Sequence, residues 1–456
     1  MPYEGEFAKY RSIRRLVENE RVKNLVDRAR IQDHSSDEVT LPMIKISDIP
    51  TSEWHPEFVI AIDGSHQETF VETGYPGAEV GYVTTAAVVM DMAKIKELDP
   101  HRPVNPKLFR ETEKVGSIDS AFPGCNIVID SEKSAKRSLR KMLFETLDEI
   151  RLFEKGESLL ETYEALLEHK PEGKEPDCPY LEEGDCQADD NKFLRQKGSY
   201  LCQCRNKNTL YSTDALRVHE RMVPDSANGE MFGEIMQVLE RIVVIHILRA
   251  FKQQNALWLL KDTGIVIDGQ LAVFGSPAWL HSAIREELYL INETAKSIIG
   301  QDLLIIGIEK SGTFVNHFER IDQDEHGGQG KFPPQTVSLL SDEYIKKNII
   351  FSESSKAYGV DTHFGRKLFY KTASGARLVA SLPFLNDLHR DMTSAKPDQF
   401  PRLPDALSLL DQLVSSRYPN SLSPLISAHA EAAIPMNIGS RVLEEMAKRI
   451  KREWNQ

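Results

Sequence analysis

The feature that most constrains this chain is a short apolar segment that ends in an acidic residue and a glycine. Phe58–Ser65 reads Phe-Val-Ile-Ala-Ile-Asp-Gly-Ser, which predicts a buried strand followed by a turn. Functional sites of open α/β sheets lie at the carboxyl ends of strands, and we expect Asp63 to occupy such an end. Asp-Gly is also a common turn dipeptide, so this motif alone favours an ordinary turn.

The same pattern recurs later in the chain. Gly264–Gly269 reads Gly-Ile-Val-Ile-Asp-Gly and ends its apolar run in Asp268. Two strands that each deliver a carboxylate at their tip predict one shared metal site. The repetition, rather than either motif, favours a site over two unrelated turns.

A third carboxylate is expected from the helix predicted over Glu230–Phe251, whose apolar residues recur at helical spacing. Glu240 lies in the apolar part of this helix. A carboxylate there is costly unless it is paired or binds a metal. The alternative is an exposed Glu240 paired with Arg241 or Arg249, and the periodicity does not decide between the two.

Three carboxylates form an oxygen-rich ligand set, which suits Mg²⁺ or Mn²⁺ better than zinc. Such ions activate water and stabilise the leaving oxygen in phosphodiester cleavage. Lys310 follows the predicted strand Leu303–Ile308 and could hold a phosphate oxygen, although a solvated lysine explains it equally well. The chain has no P-loop and no G-x-G-x-x-G after a strand, so it is not expected to be an ATPase or a dinucleotide enzyme.

The 456 residues exceed one simple domain, so one large domain with insertions or two domains are both compatible with the length. The net charge of -13 argues against holding nucleic acid by bulk charge alone, but does not exclude a nuclease. The charged N-terminus is no signal peptide, and no run of about 18 apolar residues predicts a membrane helix. We expect a soluble cytoplasmic protein without a membrane association.

The predicted fold is α/β, with a mixed sheet flanked by helices and a helical C-terminal part. Residues 1–57 are expected to form an N-terminal helical arm and linker, which either binds a partner or, as we favour, docks on the core. Further expectations are a strand at Glu79–Met90, a loop at Asp99–Pro123, a strand at Asn126–Ile129, exposed helices within Ser134–His169, a hairpin of Gly365–Tyr370 with Arg377–Leu382, and helices at Asp405–Ser416, Leu422–Ala433 and Gly439–Trp454.

A cysteine-rich segment, residues 171–211, interrupts this pattern. Four of the five cysteines, separated by seven, fifteen and one residues, lie within 27 residues: Cys178, Cys186, Cys202 and Cys204. A small module with few apolar residues needs a staple, and in a reducing compartment zinc is the usual one. We therefore expect a structural zinc ion, although Cys-x-Cys is tight for two ligands of one metal. The alternative is four reduced, buried thiols.

With these residues in view, the chain resembles the NurA nuclease family. The resemblance rests on short motifs from about Phe58 to Pro435: Ile-Asp63-Gly-Ser, the glutamate helix, Val-Ile-Asp268-Gly, Gly307-Ile-Glu-Lys310, Arg417-Tyr418-Pro419 and Ser427-Ala-His429. It implies a ribonuclease H-like fold and a Mn²⁺- or Mg²⁺-dependent DNA nuclease that forms a homodimer. It also implies a hexameric HerA-type ATPase as partner, which translocates DNA.

The resemblance also implies roles for single residues. Asp63 and Asp268 would bind the metal, with Glu240 as third ligand and Glu234 as the alternative. Tyr418 and His429 match the C-terminal motif, and His429 could ligate metal or shuttle a proton.

Residues 58–456 would then form the nuclease domain, interrupted by residues 171–211. DNA end processing and defence against phage are both compatible with such an enzyme. A non-catalytic adaptor of the ATPase complex is the alternative function, and an RNA nuclease is a weaker one.

Overall fold

A computed structural model describes residues 11–29, 40–72, 77–93, 113–153, 155–173, 175–181, 183–186, 195–204, 206–323, 330–386, 391–414 and 422–433. The chain divides into two compact units, Met1–Thr40 and Leu41–Gln456. The first unit contains helices α1 (Arg11–Glu18) and α2 (Glu20–Arg28). Asn19 caps the second of these helices, which has no buried side chain.

The second unit is built on one large mixed sheet. The strands in the described part of the chain are β1 (Ile44–Lys45), β2 (Phe58–Glu72), β3 (Ala78–Asp91), β4 (Glu113–Pro123), β5 (Ser199–Leu201), β6 (Thr209–Tyr211), β7 (Thr263–Asp268), β8 (Leu304–Glu309), β9 (Thr336–Leu339), β10 (Gly365–Lys371) and β11 (Arg377–Pro383). Two of these strands, β5 and β6, form a separate small hairpin. The order across the large sheet is β1-β9-β10-β11-β8-β7-β2-β3-β4.

Five neighbouring strands of the large sheet, β4, β3, β2, β7 and β8, confirm the predicted fold class. The strands β2, β3 and β4 pair antiparallel, β7 pairs parallel with β2, and β8 pairs parallel with β7. The spatial order β4-β3-β2-β7-β8 is that of a ribonuclease H-like sheet. The predicted strand at Glu79–Met90 and the predicted hairpin of β10 with β11 are both present.

Strand β2 is longer than the sequence predicts. It does not end at Asp63 but continues to Glu72, because its backbone keeps pairing with β3, for instance Asp63 with Ala86. The expectation that Asp63 ends its strand is therefore wrong. What ends there is the parallel neighbour, since the last register pair of β2 with β7 is Ile62 with Ile267.

This difference in strand length leaves an opening in the sheet, which we call the notch. It is bounded by Asp63–Gly64 on β2 and by Asp268–Gly269 at the end of β7. Beyond that point, none of the described strands lies beside β2 on the β7 side. In such a notch, side chains from the two faces of the sheet can come close to one another.

Helices cover both faces of the sheet. The described helices of the second unit are α3 (Ala135–Glu149), α4 (Leu159–Glu168), α5 (Gly229–Gln253), α6 (Leu280–Ile299), α7 (Thr313–Asp322), α8 (Asp342–Asn348), α9 (Leu403–Leu413) and α10 (Ser423–Ala432). One apolar core joins the sheet to α3, α4, α5 and α6, and a second core joins the opposite face to α9 and α10.

Three local expectations are wrong. Residues 113–123 form β4 rather than a loop, because β3 offers them a complete pairing edge. Asn126–Ile129 is no strand, and the φ of 55° at Asn126 bends the backbone away from an extended path. Helices α3 and α4 are not exposed, since Leu139 and Tyr163 are fully buried in the first core.

At the C-terminal end, α9 and α10 match the predicted helices at Asp405–Ser416 and Leu422–Ala433. The predicted helix at Gly439–Trp454 lies outside the described residues. None of the helices in the described ranges combines the length and apolarity needed to cross a membrane.

Candidate active site at the notch

Strand alternation places two aspartates on the same face of the sheet. Val59 and Ala61 of β2 and Val266 of β7 point into the core beneath α9 and α10. Asp63 and Asp268 continue these alternating positions, so they project toward the same side. The structure therefore brings together the two aspartates that end the recurring sequence motif.

Lys310 joins these two carboxylates. It follows the end of β8, and its Nζ lies 3.3 Å from Asp63 Oδ2 and 3.0 Å from Asp268 Oδ1. Asp63 is almost fully buried, whereas the side chain of Asp268 is 28% exposed. One ammonium group is thus shared by two negative charges at the mouth of the notch.

His429 reaches the site from α10. Its Nδ1 lies 3.2 Å from Asp63 Oδ2, and its side chain remains 60% exposed. The hydroxyl of Ser65 donates a 2.6 Å hydrogen bond to the carbonyl of Ala432, which fixes the end of α10 on β2. The imidazole therefore links the buried Asp63 to solvent.

Glu240 approaches from the opposite face, on α5. It is buried, and its Oε1 lies where Gly64 has no side chain: a Cβ on residue 64 would be 2.7 Å from this oxygen. The backbone N–H of Gly64 donates to Asp63 Oδ1 at 2.8 Å. Glycine at position 64 is what lets the carboxylate of α5 enter the notch.

The electrostatics of the notch disfavour the charged carboxylates. Burial raises the pKa of Asp63 to about 6, with the charge of Asp268 adding to the rise and Lys310 and His429 opposing it. Burial also raises the pKa of Glu240 to about 8, against the opposing charge of Arg241 and with a further rise from both aspartates. In the metal-free protein, burial therefore favours the neutral forms of Asp63 and Glu240.

Arg241 is a residue whose role the sequence does not reveal. From the sequence it is only a possible partner of an exposed Glu240, yet its guanidinium is buried. It donates to the carbonyls of Asp268 at 3.2 Å, Gln270 at 3.1 Å and Ala272 at 3.3 Å, and pairs with Glu240 at 3.4 Å. One side chain thus ties the helix that carries Glu240 to the turn that carries Asp268. The only sequence signal is a charged residue inside an apolar run.

The two remaining candidates are not in the notch as described. Glu234, the alternative third ligand, pairs with Arg221 at 3.3 Å and packs against Gly275. It lines a separate cavity of about 220 Å³ on α5. Tyr418 lies outside the described residues.

The residues of the notch fit a divalent cation by their donor chemistry. Carboxylate oxygens from β2, α5 and β7 are the ligands that Mg²⁺ and Mn²⁺ take, and a bound cation would offset the burial that raises the pKa of Asp63 and of Glu240. Among the described residues, however, only Cys178, Cys186 and Cys202 place three potential ligand atoms within 4.8 Å of one another. The carboxylates are thus gathered around Lys310 rather than preassembled around an ion.

Comparison with known proteins identifies the family of this chain. The family model for the NurA domain matches residues 58–434, which is most of the chain. The chain belongs to the NurA family. The matched residues contain every side chain that meets at the notch and also span the cysteine-rich segment. The resemblance that the sequence motifs indicate is thereby confirmed.

Two solved NurA structures are similar to this chain over nearly its whole length. The NurA nuclease from Sulfolobus solfataricus is 11% identical, with a TM-score of 0.36, and the alignment covers 98% of each chain. A second structure, described as NurA, is also 11% identical, with a TM-score of 0.27 and coverage of 96% of this chain and 97% of the other. Comparison with curated proteins found no match.

Proposed function

We propose that this NurA-family chain is a divalent-metal-dependent DNA nuclease that hydrolyses phosphodiester bonds at the notch. The observation that carries the proposal is the convergence of Asp63, Asp268 and Glu240 on a site where Lys310 is shared between the two aspartates. A buried excess of negative charge is costly unless it binds a cation. The family membership supports the reaction class.

Asp63, Asp268 and Glu240 would hold Mn²⁺ or Mg²⁺, and His429 could complete the ligand set. When bound, such an ion polarises the phosphate and activates water for attack. Its charge would also favour the ionised form of Glu240, whose pKa is raised to about 8 without it. Replacing Glu240 with a residue that has no carboxylate should therefore weaken both metal binding and cleavage.

Lys310 and His429 would act on the substrate. With a cation between the carboxylates, Lys310 would no longer be needed as their counter-ion and could bind a nonbridging oxygen of the scissile phosphate. His429 is exposed at the mouth of the notch, and imidazole exchanges protons near neutral pH. It is therefore placed to carry a proton between the site and solvent.

Because the chain is acidic, we infer that a partner protein brings the DNA to this site. The chain's net charge of -13 provides no bulk attraction for a polyanion. We propose that a HerA-type hexameric ATPase feeds DNA to a homodimer of this chain, in end processing or in antiviral defence. Family membership is what supports this partnership.

The test is cleavage of linear DNA in Mn²⁺, in Mg²⁺ and in chelator, with and without the ATPase. Wild type should cleave only with metal, and D63N should form no product. The matched control is D361N, which removes an aspartate whose side chain is 67% exposed and pairs with Lys356. Equal product from wild type and D63N would contradict the proposal. If even the wild-type chain forms no product in the full complex with the ATPase, the adaptor role is favoured.

A further inference from the structure

The cysteine-rich segment brings its thiols together at the spacing of a metal site. The Sγ of Cys202 lies 3.6 Å from that of Cys178 and 3.7 Å from that of Cys186. Tetrahedral zinc–thiolate bonds of about 2.3 Å place neighbouring sulfurs about 3.8 Å apart. The two measured Sγ–Sγ distances therefore match the sulfur–sulfur distance in the tetrahedron around a single zinc ion.

The fourth cysteine lies beside this group. Cys204 is buried and belongs to the same apolar cluster as the other three cysteines. Its backbone N–H points at Cys202 Sγ, 3.4 Å away. A backbone N–H directed at sulfur stabilises a thiolate, which is the form that binds metal. The tight Cys-x-Cys spacing is thus accommodated by a turn.

Two turns present these cysteines. In the first, Leu181 N–H donates to the carbonyl of Cys178 at 2.9 Å. In the second, between β5 and β6, Lys207 N–H donates to the carbonyl of Cys204 at 3.1 Å, and Lys207 has a φ of 46°. Such turns direct side chains inward at the cost of local backbone strain, which a bound ion would offset.

Among its described residues the segment has little apolar packing of its own, although ion pairs of Arg137 with Glu183 and Asp185 add to it. In that part of the chain, the apolar cluster of the four cysteines also contains Tyr180, Leu210 and the partly buried Tyr200. None of the four cysteines is in a disulfide, and the Sγ separations of 3.6 Å and 3.7 Å are far above a disulfide bond of about 2.05 Å. Because the thiols touch one another, there is room for one ion but not for a cluster with its own sulfides.

We propose that Cys178, Cys186, Cys202 and Cys204 bind one structural zinc ion. Four thiolates fill its tetrahedral coordination and leave no position for water, so the ion stabilises the segment and takes no part in hydrolysis. The proposal does not depend on the nuclease activity.

The zinc-bound segment would be attached to the catalytic unit through Tyr180. The ring of Tyr180 lies 4.5 Å from the guanidinium of Arg137 and 4.5 Å from that of Arg140, both on α3. The Tyr180 hydroxyl donates to the carbonyl of Thr209 at 2.8 Å, which joins the two halves of the segment. Loss of zinc should therefore release the segment from α3 without removing any residue of the notch.

The test is metal analysis of the full chain purified in reducing buffer. We expect about one zinc per chain in wild type and loss of most of it in C178S and in C202S. The control is C125S, because Cys125 is a buried cysteine outside the cluster whose thiol hydrogen-bonds the carbonyl of Gly77. Less than about one zinc per two chains in wild type, iron in place of zinc, or equal loss in C125S would overturn the proposal.

A second measurement covers the case in which the variants fail to fold. Folded wild type is treated with a zinc chelator, dialysed, and digested with protease. New cleavage within residues 171–211, reversed by added Zn²⁺ but not by Mn²⁺, is the expected result. A digestion pattern unaffected by zinc removal would contradict a structural role. Nuclease activity, assayed separately with Mn²⁺, reports on the notch and not on this site.

Discussion

Two buried groups of charges in this protein differ in how they are neutralised. Asp214 accepts two hydrogen bonds of 2.7 Å from the guanidinium of Arg140 and a third of 2.9 Å from the backbone of Tyr211. The side chains of this pair are only 2% and 1% exposed. In the notch, Asp63 and Asp268 share the single ammonium of Lys310.

The difference separates a structural pair from a binding site. Both groups lie in a poorly hydrated environment, where an unpaired charge is costly. The first is saturated by its own side chains and can be broken only at the expense of folding. The second leaves its carboxylates short of positive charge, so it gains stability when a cation arrives. The number of positive groups that the protein provides for its buried carboxylates thus distinguishes the candidate site from a structural ion pair.

The largest effect on folding is expected from D214N, which leaves Arg140 buried without its counter-charge. We expect the free energy of unfolding to fall by about 3–5 kcal/mol, measured by urea denaturation. D361N, at an exposed pair with Lys356, should change it by about 0–1 kcal/mol. Similar losses in the two variants would show that the buried pair is not distinctive.

In the notch the corresponding change should remove activity instead. E240Q is expected to lower the rate of Mn²⁺-dependent cleavage more than about 100-fold, since changes outside the ligand set alone cost about 10–100-fold. E234Q is the control on the same helix, because Glu234 pairs with Arg221 away from the notch. Initial rates on linear DNA distinguish the two. An inactive E234Q with an active E240Q would reverse the assignment of the third ligand.

Cation binding should stabilise the notch directly. At a Mn²⁺ concentration one hundred times its Kd, the free energy of unfolding of wild type is expected to rise by about 2.7 kcal/mol. D63N should show no comparable rise, because a carboxylate of the site is missing. Thermal unfolding with and without Mn²⁺ measures the effect. An equal rise in D63N would place the stabilising ion elsewhere.

R241K tests the link between the two sides of the notch. Lysine keeps the positive charge but cannot reach the carbonyls of Asp268, Gln270 and Ala272 together, as Arg241 does. We expect about 10–100-fold weaker apparent affinity for Mn²⁺, read from the metal dependence of cleavage. Unchanged metal dependence would limit Arg241 to a role in folding.

The pH dependence of stability should also differ between wild type and E240Q. The pKa of Glu240 is raised from 4.5 to about 8 in the folded, metal-free protein, so the unfolded chain ionises first and stability falls as the pH rises through this range. E240Q should lack this contribution, which is at most about 1.4 kcal/mol per pH unit. The advantage of metal-free E240Q over wild type should therefore grow from pH 5 to pH 8. A constant difference would contradict a raised pKa.

The sequence predicts much of the framework of the notch. The apolar runs ending in Asp63 and Asp268 follow from strand patterning, and helix α5 follows from its apolar spacing. What the sequence does not contain is the relative length of β2 and β7. The difference arises because β2 keeps pairing with β3, the next strand, past the point where β7, a strand distant in the chain, ends, and it is what creates the notch.

The choice between two glutamates shows a second limit. Glu234 and Glu240 lie on one helix, and periodicity does not decide which of the two carboxylates is buried. Only the packing of α5 on β2 determines which carboxylate faces Gly64. Arg241 is hidden for the same reason, because its partners are backbone carbonyls that carry no sequence signal.

Gly64 has a consequence for natural and engineered variation. Even alanine would place its methyl carbon 2.7 Å from Glu240 Oε1 and 2.9 Å from Met236 Cγ. G64A would therefore push the carboxylate out of the notch while every acidic residue stays in the sequence. We expect chains that carry a larger residue at this position to lack the Glu240 carboxylate in the notch, even when their full set of acidic residues suggests an intact site.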